Sequence, residues 1–394
     1  MSEMKYAVRN LMLLLPLLIL GCASHSDLST STHSKSSAIV PHINWQSDVY
    51  TLIEVPHVED IFYLNEDSKQ HFLSFYNNPK NQTIQGHKRL YQYLEGFLSG
   101  FTYKGDTYNA NVASIEQAGN CLSLAILTKA YASLVSLKVE YRKVNSEPVY
   151  SRQNGIVTFS SHVQTHVHAP AKVSGDKFKF FFSKIIIDYF PSSKGKLGSV
   201  VDDADFVSMY YHNLAAKALI VEDFDKAYSL LSAAMELSPL NIETLNTLAV
   251  LYKKSGNHAS AESIYKYVLE HTKGSVSALR NYVILLEENG RDDEVELYEH
   301  KYMEIEDDNP YRWFDLANQA YGQKKYLQAL RFFQKTTDMA PYLHESFFGQ
   351  AKTYYQLGYT GKAKLAMRKA AEFAYTPKDE RLYNSKLHML NDSL

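Results

Sequence analysis

The sequence predicts an α+β domain followed by an all-α array of helical hairpins, and two observations carry that prediction. Between residues 138 and 190 the apolar residues leave helical spacing for runs rich in β-branched and aromatic side chains that partly alternate, the pattern of antiparallel strands. From about residue 208 the helical period returns, persists, and repeats every 34 residues, the mark of stacked supersecondary units. Helices followed by strands within about 45–200 give an α+β unit rather than an alternating α/β one.

The first 21 residues form a targeting segment. Lys5 and Arg9 supply its positive start, and "LMLLLPLLILG" (11–21) is an apolar stretch too short for a permanent span. It ends in Ile19-Leu20-Gly21-Cys22. This resembles the lipobox of bacterial lipoproteins, whose leader is cleaved before a cysteine that then carries lipid. The resemblance implies lipidation at Cys22 and firm anchoring by several acyl chains. With Ala23 rather than Asp after the cysteine, it implies sorting to the outer membrane, facing the periplasm. Leu20 is a less usual residue in the motif, and an ordinary signal peptide with an incidental cysteine is the alternative. Residues 22–44, including "ASHSDLSTSTHSKSSAIV" (23–40), form a Ser/Thr-rich tether.

The α+β domain covers 45–203. "SKQHFLSFYNN" (68–78) and "GHKRLYQYLEGFLSGF" (86–101) have helical spacing, with Leu90, Tyr93, Leu94 and Phe97 on one face. A third helix begins within "QAGNCLSLAILTKAYASLV" (117–135). Strands are expected at "KVEYRKV" (138–144), "GIVTFSSHVQTHVHA" (155–169) and "FKFFFSKIIIDYF" (178–190).

The array covers 204–380, leaving 381–394 as a tail. Ala227, Ala261, Val295, Ala329 and Ala363 step by 34, Leu214, Leu248, Tyr282 and Leu316 keep the same phase, and Pro239 and Pro341 stand 102 residues apart. A small residue at a helix crossing lets two helices approach closely. One pair cannot bury its apolar face alone, so pairs stack and leave a concave groove. The pattern resembles the tetratricopeptide repeat (TPR), with five units over about 208–377. The third unit is the weakest, with Val295 in place of Ala and no closing proline. The resemblance implies a protein or peptide partner in the groove.

A net charge of −2 over 394 residues gives no electrostatic footprint for nucleic acid. The 30 tyrosines are read as helix packing, with a partner-binding surface as the alternative. There are two cysteines. With Cys22 taken by lipid, the chain offers Cys121 no second cysteine for a disulfide, and in an oxidising compartment its thiol must be buried, paired with another chain or used.

Cys121 follows an Ala-Gly-Asn turn at the start of its helix. The partial positive charge of a helix N-terminus favours a thiolate. His162 and Asp188 lie on successive expected strands, so adjacent strands would align the imidazole between thiol and carboxylate. "GNCLSLA", "SSHVQTHV" and "IIIDYF", followed by the repeats, resemble bacterial proteins that join a transglutaminase-like (papain-like) domain to TPR units. That resemblance spans roughly 100–380. It implies Cys121 as nucleophile, His162 as general base and Asp188 as its orienter, with the Cys121 backbone N–H as an oxyanion donor. Gln117 is a further oxyanion candidate, one helical turn upstream. The family's usual His-Val-Asn is His162-Val163-Gln164 here, and His166 is an alternative base.

On a regular strand His162, Gln164, His166 and His168 face one side. The stripe carries no carboxylate and no cysteine pair, so no metal is expected, and no cofactor. "GFTYKGDT" (100–107) has phosphate-loop glycine spacing, but Asp106 stands where a lysine is needed. "HESFF" (344–348) lacks the second His of a zinc-protease helix. The expectation is a membrane-anchored periplasmic thiol hydrolase acting on amide bonds of a protein or peptide recruited by the TPR groove. The alternative is a non-catalytic TPR adaptor lipoprotein that assembles an envelope complex.

Overall fold

The computed structural model describes residues 49–170, 183–187, 196–272, 275–305 and 308–392. The targeting segment, Cys22, the tether and Asp188 lie outside these residues. The described chain opens with α1 (Val58–Phe62), α2 (Glu66–Tyr76) and α3 (Gly86–Leu98). Leu90, Tyr93 and Leu94 of α3 are buried as their spacing requires. Two-residue strands β1 (Thr102–Tyr103) and β2 (Ala118–Gly119) pair in parallel around α4 (Ala110–Glu116), and α5 (Cys121–Leu134) follows. This last helix is apolar on every side, and Leu122 to Thr128 are all buried; such a helix belongs in a core.

A four-stranded antiparallel sheet comes next: β3 (Val139–Gln153), β4 (Ile156–His168), β5 (Lys184–Ile187) and β6 (Lys196–Val201), in the order β5-β4-β3-β6. β3 runs well beyond its expected end at 144, and β6 was not expected. Asn154 and Gly155, at φ 48° and 77°, turn β3 into β4; an Asn-Gly pair adopts this left-handed turn at low strain and matches the strand twist. The β3–β4 ladder shifts register between Val144 and Val149, and the β3–β6 ladder between Arg142 and Val144.

Alternation gives the sheet two unlike faces. Val139, Tyr141, Val163, Val167, Ile187 and Val201 are buried in one apolar core with residues of α5 and α3. On that side the Tyr141 ring lies parallel to Phe206, centroids 3.6 Å apart. The opposite register carries Glu140, Arg142, Gln164, His166, His168 and the exposed Ile186 and Val200.

Five helix pairs follow among the described residues. They are α6 (Asp203–Ile220) with α7 (Phe224–Leu237), α8 (Ile242–Lys254) with α9 (His258–His271), and α10 (Val276–Glu288) with α11 (Asp292–Met303). Then come α12 (Pro310–Gly322) with α13 (Tyr326–Met339), and α14 (His344–Gln356) with α15 (Thr360–Glu372). Ala227, Ala261, Ala329 and Ala363 are fully buried in the second helices, where the 34-residue step placed them. Residues expected as a tail instead form α16 (Pro377–Asp392). Its Tyr383 packs with Phe347, Ala366, Met367 and Ala370, closing the last pair.

Among the described residues the apolar core is not continuous. One cluster joins the sheet domain to the array as far as α10, with Val295 and Tyr298 of α11 packed against it. Separate clusters hold α12 with α13 and α14 through α16.

Candidate functional site

Cys121 is the first residue of α5 and is 8% exposed. Asn120 caps the helix, its Oδ1 accepting the Ser123 N–H at 3.0 Å. Its Nδ2 donates to Thr107 Oγ1 at 2.7 Å, and Asn213 of α6 donates to the same hydroxyl at 3.0 Å. The cap of the cysteine helix is therefore tied to the first helix of the array. Lys217 of α6 also pairs with Asp106 in the neighbouring loop, so Asp106 serves a structural contact. Gly119 sits at φ +144°, and a Cβ there would lie 2.6 Å from Ser123 Cβ, so the turn requires glycine.

Gln117 is not one turn of the cysteine helix upstream. It closes α4 in the left-handed conformation (φ 45°), and β2 separates it from α5. It is exposed, with Oε1 3.0 Å from where a Cβ on Gly100 would stand.

His162 lies on β4 opposite Val144 and is 8% exposed. α5 packs against β4, so Cys121 and His162 are carried on adjoining elements. By register His162 belongs with Gln164, His166 and His168, opposite Arg142 and Glu140, and not with the Val163 and Val167 face that meets the core. His166 is fully buried. Lys184 Nζ donates to its Nδ1 at 3.0 Å, which leaves Nε2–H to face Gln164 Oε1 at 3.4 Å. Glu140 Oε1 is 3.9 Å from the ring. Burial first, and Lys184 second, push His166 down to about 4, so it is a neutral imidazole at ordinary pH. Among the described residues no three His, Cys, Asp or Glu side chains are grouped to hold a metal ion.

The second candidate surface is the face formed by the first helices of the pairs. It is linked from pair to pair by polar contacts 35 residues apart. His212 Nε2 and Thr247 Oγ1 are 2.8 Å apart, Asn281 Nδ2 donates to Asn246 Oδ1 at 3.1 Å, and Arg280 Nη2 donates to Asp315 Oδ2 at 2.5 Å. The β3–β4 hairpin reaches this face. Arg152 makes two parallel bonds to Asp315, at 2.6 and 2.8 Å, and lies over the Tyr311 ring at 4.2 Å. None of Arg152, Asn154, Arg280 or Asp315 was a sequence candidate. Asn154-Gly155 signals a turn, but nothing local signals where the turn docks.

No family model matches the chain. The BBSome complex member BBS4 of Bos taurus is 27% identical over 124 residues, 31% of this chain, and the match spans 24% of that protein's length. Three solved structures share part of the arrangement. PilF of Pseudomonas aeruginosa has TM-score 0.37 and 19% identity, over 48% of this chain and 87% of that one. Yeast Tom70 has TM-score 0.40 and 15% identity, over 47% and 40%. YrrB, a TPR protein with an unusual peptide-binding site, has TM-score 0.28 and 16% identity, over 45% and 92%. The TPR-type architecture rests on the chain's own helix pairs and their 34-residue step.

Proposed function

We propose that this chain is an adaptor, tethered to the outer membrane by lipid at Cys22, whose repeat array holds a protein or peptide partner in the periplasm. The observation that supports it is the face built by the first helices, where Asn246, Asn281, Arg280 and Asp315 recur in register along the array. Polar side chains repeated on one face of stacked hairpins are how such arrays present a binding surface. The curated protein with a matching segment is itself a member of an assembly.

A second reading is favoured by a different observation. Cys121 heads a capped helix, a position where the helix dipole favours a thiolate, although the register of β4 turns His162 away from the face on which that helix packs. On this reading the domain is a transglutaminase-like thiol hydrolase. Cys121 attacks an amide carbonyl, His162 (or His166) takes the proton and returns it to the leaving amine, Asp188 orients the base, and water then releases the acyl group. Gln117, exposed and turned towards Gly100, is the least favoured oxyanion donor.

The two readings separate in cells whose own copy has been deleted. The adaptor reading expects Cys121→Ala to restore function as fully as wild type and Asp315→Ala to fail. Failure of Cys121→Ala with rescue by Asp315→Ala would favour the hydrolase.

A further inference from the structure

The β3–β4 hairpin contacts the array at the end of α6, at α12 and at the 340–343 turn ahead of α14. At the tip, Asn154 Nδ2 donates to Ile220 O at the end of α6, at 2.9 Å. Further back, Arg152 is held by Asp315 of α12. Tyr150 and Val157 pack with Tyr311, Ala340 and Leu343, and the Tyr150 N–H donates to Tyr342 Oη at 2.7 Å, just ahead of α14. The hairpin thus touches both sides of the break in the apolar core after α11. A strand-like segment of this chain is seated on the face where an extended ligand of the array would lie.

We propose that the hairpin is an internal ligand of that face, and that a partner enters by supplying its own arginine to Asp315 in place of Arg152. The proposal rests on the adaptor reading and names both its regulation and the chemistry of its partner. Asp315 accepts from two guanidiniums, Oδ1 from Arg152 and Oδ2 from Arg152 and Arg280 together. Withdrawing Arg152 leaves one carboxylate oxygen without its cation, beside a vacated Tyr311 ring. An arginine satisfies both needs with one planar fork, which a lysine cannot do. Because the hairpin is tethered, it competes at an effective concentration on the order of millimolar. A partner therefore succeeds by matching the seat better, or by binding where the hairpin has been loosened.

The test uses the full chain and a labelled synthetic peptide of residues 149–157 (VYSRQNGIV), read by fluorescence anisotropy, with hydrogen exchange followed on the same samples. Weakening the tethered competitor is expected to tighten peptide binding by about tenfold or more in Arg152→Ala over wild type. Adding Asp315→Ala to that variant, or lysine for the peptide's arginine, is expected to abolish the gain. If Arg152→Ala does not fold, Arg152→Lys keeps the charge, removes the fork and is expected to show a smaller gain of the same kind. Loss of amide protection in α12–α15 with no peptide binding would make the hairpin a structural strut and overturn the proposal, as would no change in either measurement. Peptide binding together with cellular rescue by Asp315→Ala supports the seat and removes only the adaptor reading. No binding, with rescue still lost in Asp315→Ala, removes the seat alone.

Discussion

Gly119 shows how tightly single residues set the cysteine turn. Its left-handed φ and the 2.6 Å approach to Ser123 leave no room for a side chain. Ser123 Oγ in turn accepts the Tyr108 N–H at 2.8 Å, so displacing Ser123 unsettles the 104–109 loop as well. Gly119→Ala is expected to cost about 1–3 kcal/mol, measured as a lowered urea midpoint; an unchanged midpoint would show that the turn tolerates a Cβ. At this scale much was legible. The Gly-Asn-Cys turn and the helix start at Cys121 follow from capping chemistry. Gln117 was misplaced because periodicity cannot see a left-handed residue that ends one helix four positions before the next begins. His162 and His166 share a register face, and spacing alone cannot say that His166 is the one sealed between Lys184 and Gln164.

At the scale of elements, α11 is the weakest member of the array. None of its described side chains is fully buried, in keeping with Val295 in the small-residue position. Charge offsets this. Arg291, capping α11, donates to Glu262 of α9 at 2.7 Å and to Glu294 at 2.5 and 2.6 Å, and Tyr282 of α10 donates to Glu262 at 3.0 Å. The Arg291 bond, helped by Lys266 and Tyr282 and opposed by burial, holds the Glu262 carboxyl down to about 2. A depressed carboxyl contributes stability above the ordinary glutamate range and loses it as pH falls towards about 2. Glu262→Gln is therefore expected to cost about 1 kcal/mol at neutral pH, to raise amide exchange in α11, and to flatten the acid limb of the stability curve. An acid limb identical to wild type would contradict this. The third unit's weakness was legible in the sequence; its remedy was not, because Glu262 and Arg291 lie 29 residues apart on different units. β6 was missed because a six-residue strand beginning in "KLG" carries little β signal. α16 starts at Pro377, close to one repeat step after the α14 start at His344, and it was missed because the small-residue marker that set the phase belongs to the second helix of each pair.

At the scale of the whole molecule, long-range seats hold the sheet domain and the array together, and neither was legible. The segment after residue 49 lies along α7. Tyr50 stacks on Tyr228 at 4.7 Å and its hydroxyl pairs with Ser255, the Ile53 N–H donates to Ser229 Oγ at 2.9 Å, and Tyr211 donates to Pro56 O at 2.6 Å. The hairpin lies on the opposite kind of surface, among the first helices. Repeat phase predicts a helix pair from its own residues, but contacts 66 to 205 positions apart leave no local pattern. The claim on which the account turns is that a partner sits on the face of the first helices. A photo-crosslinking residue at position 281 on that face, compared in intact cells with one at position 365 on α15, tests it most directly. The account predicts a discrete cross-linked protein from 281 and none from 365; the same product from both positions, or a product from 365 alone, would contradict it.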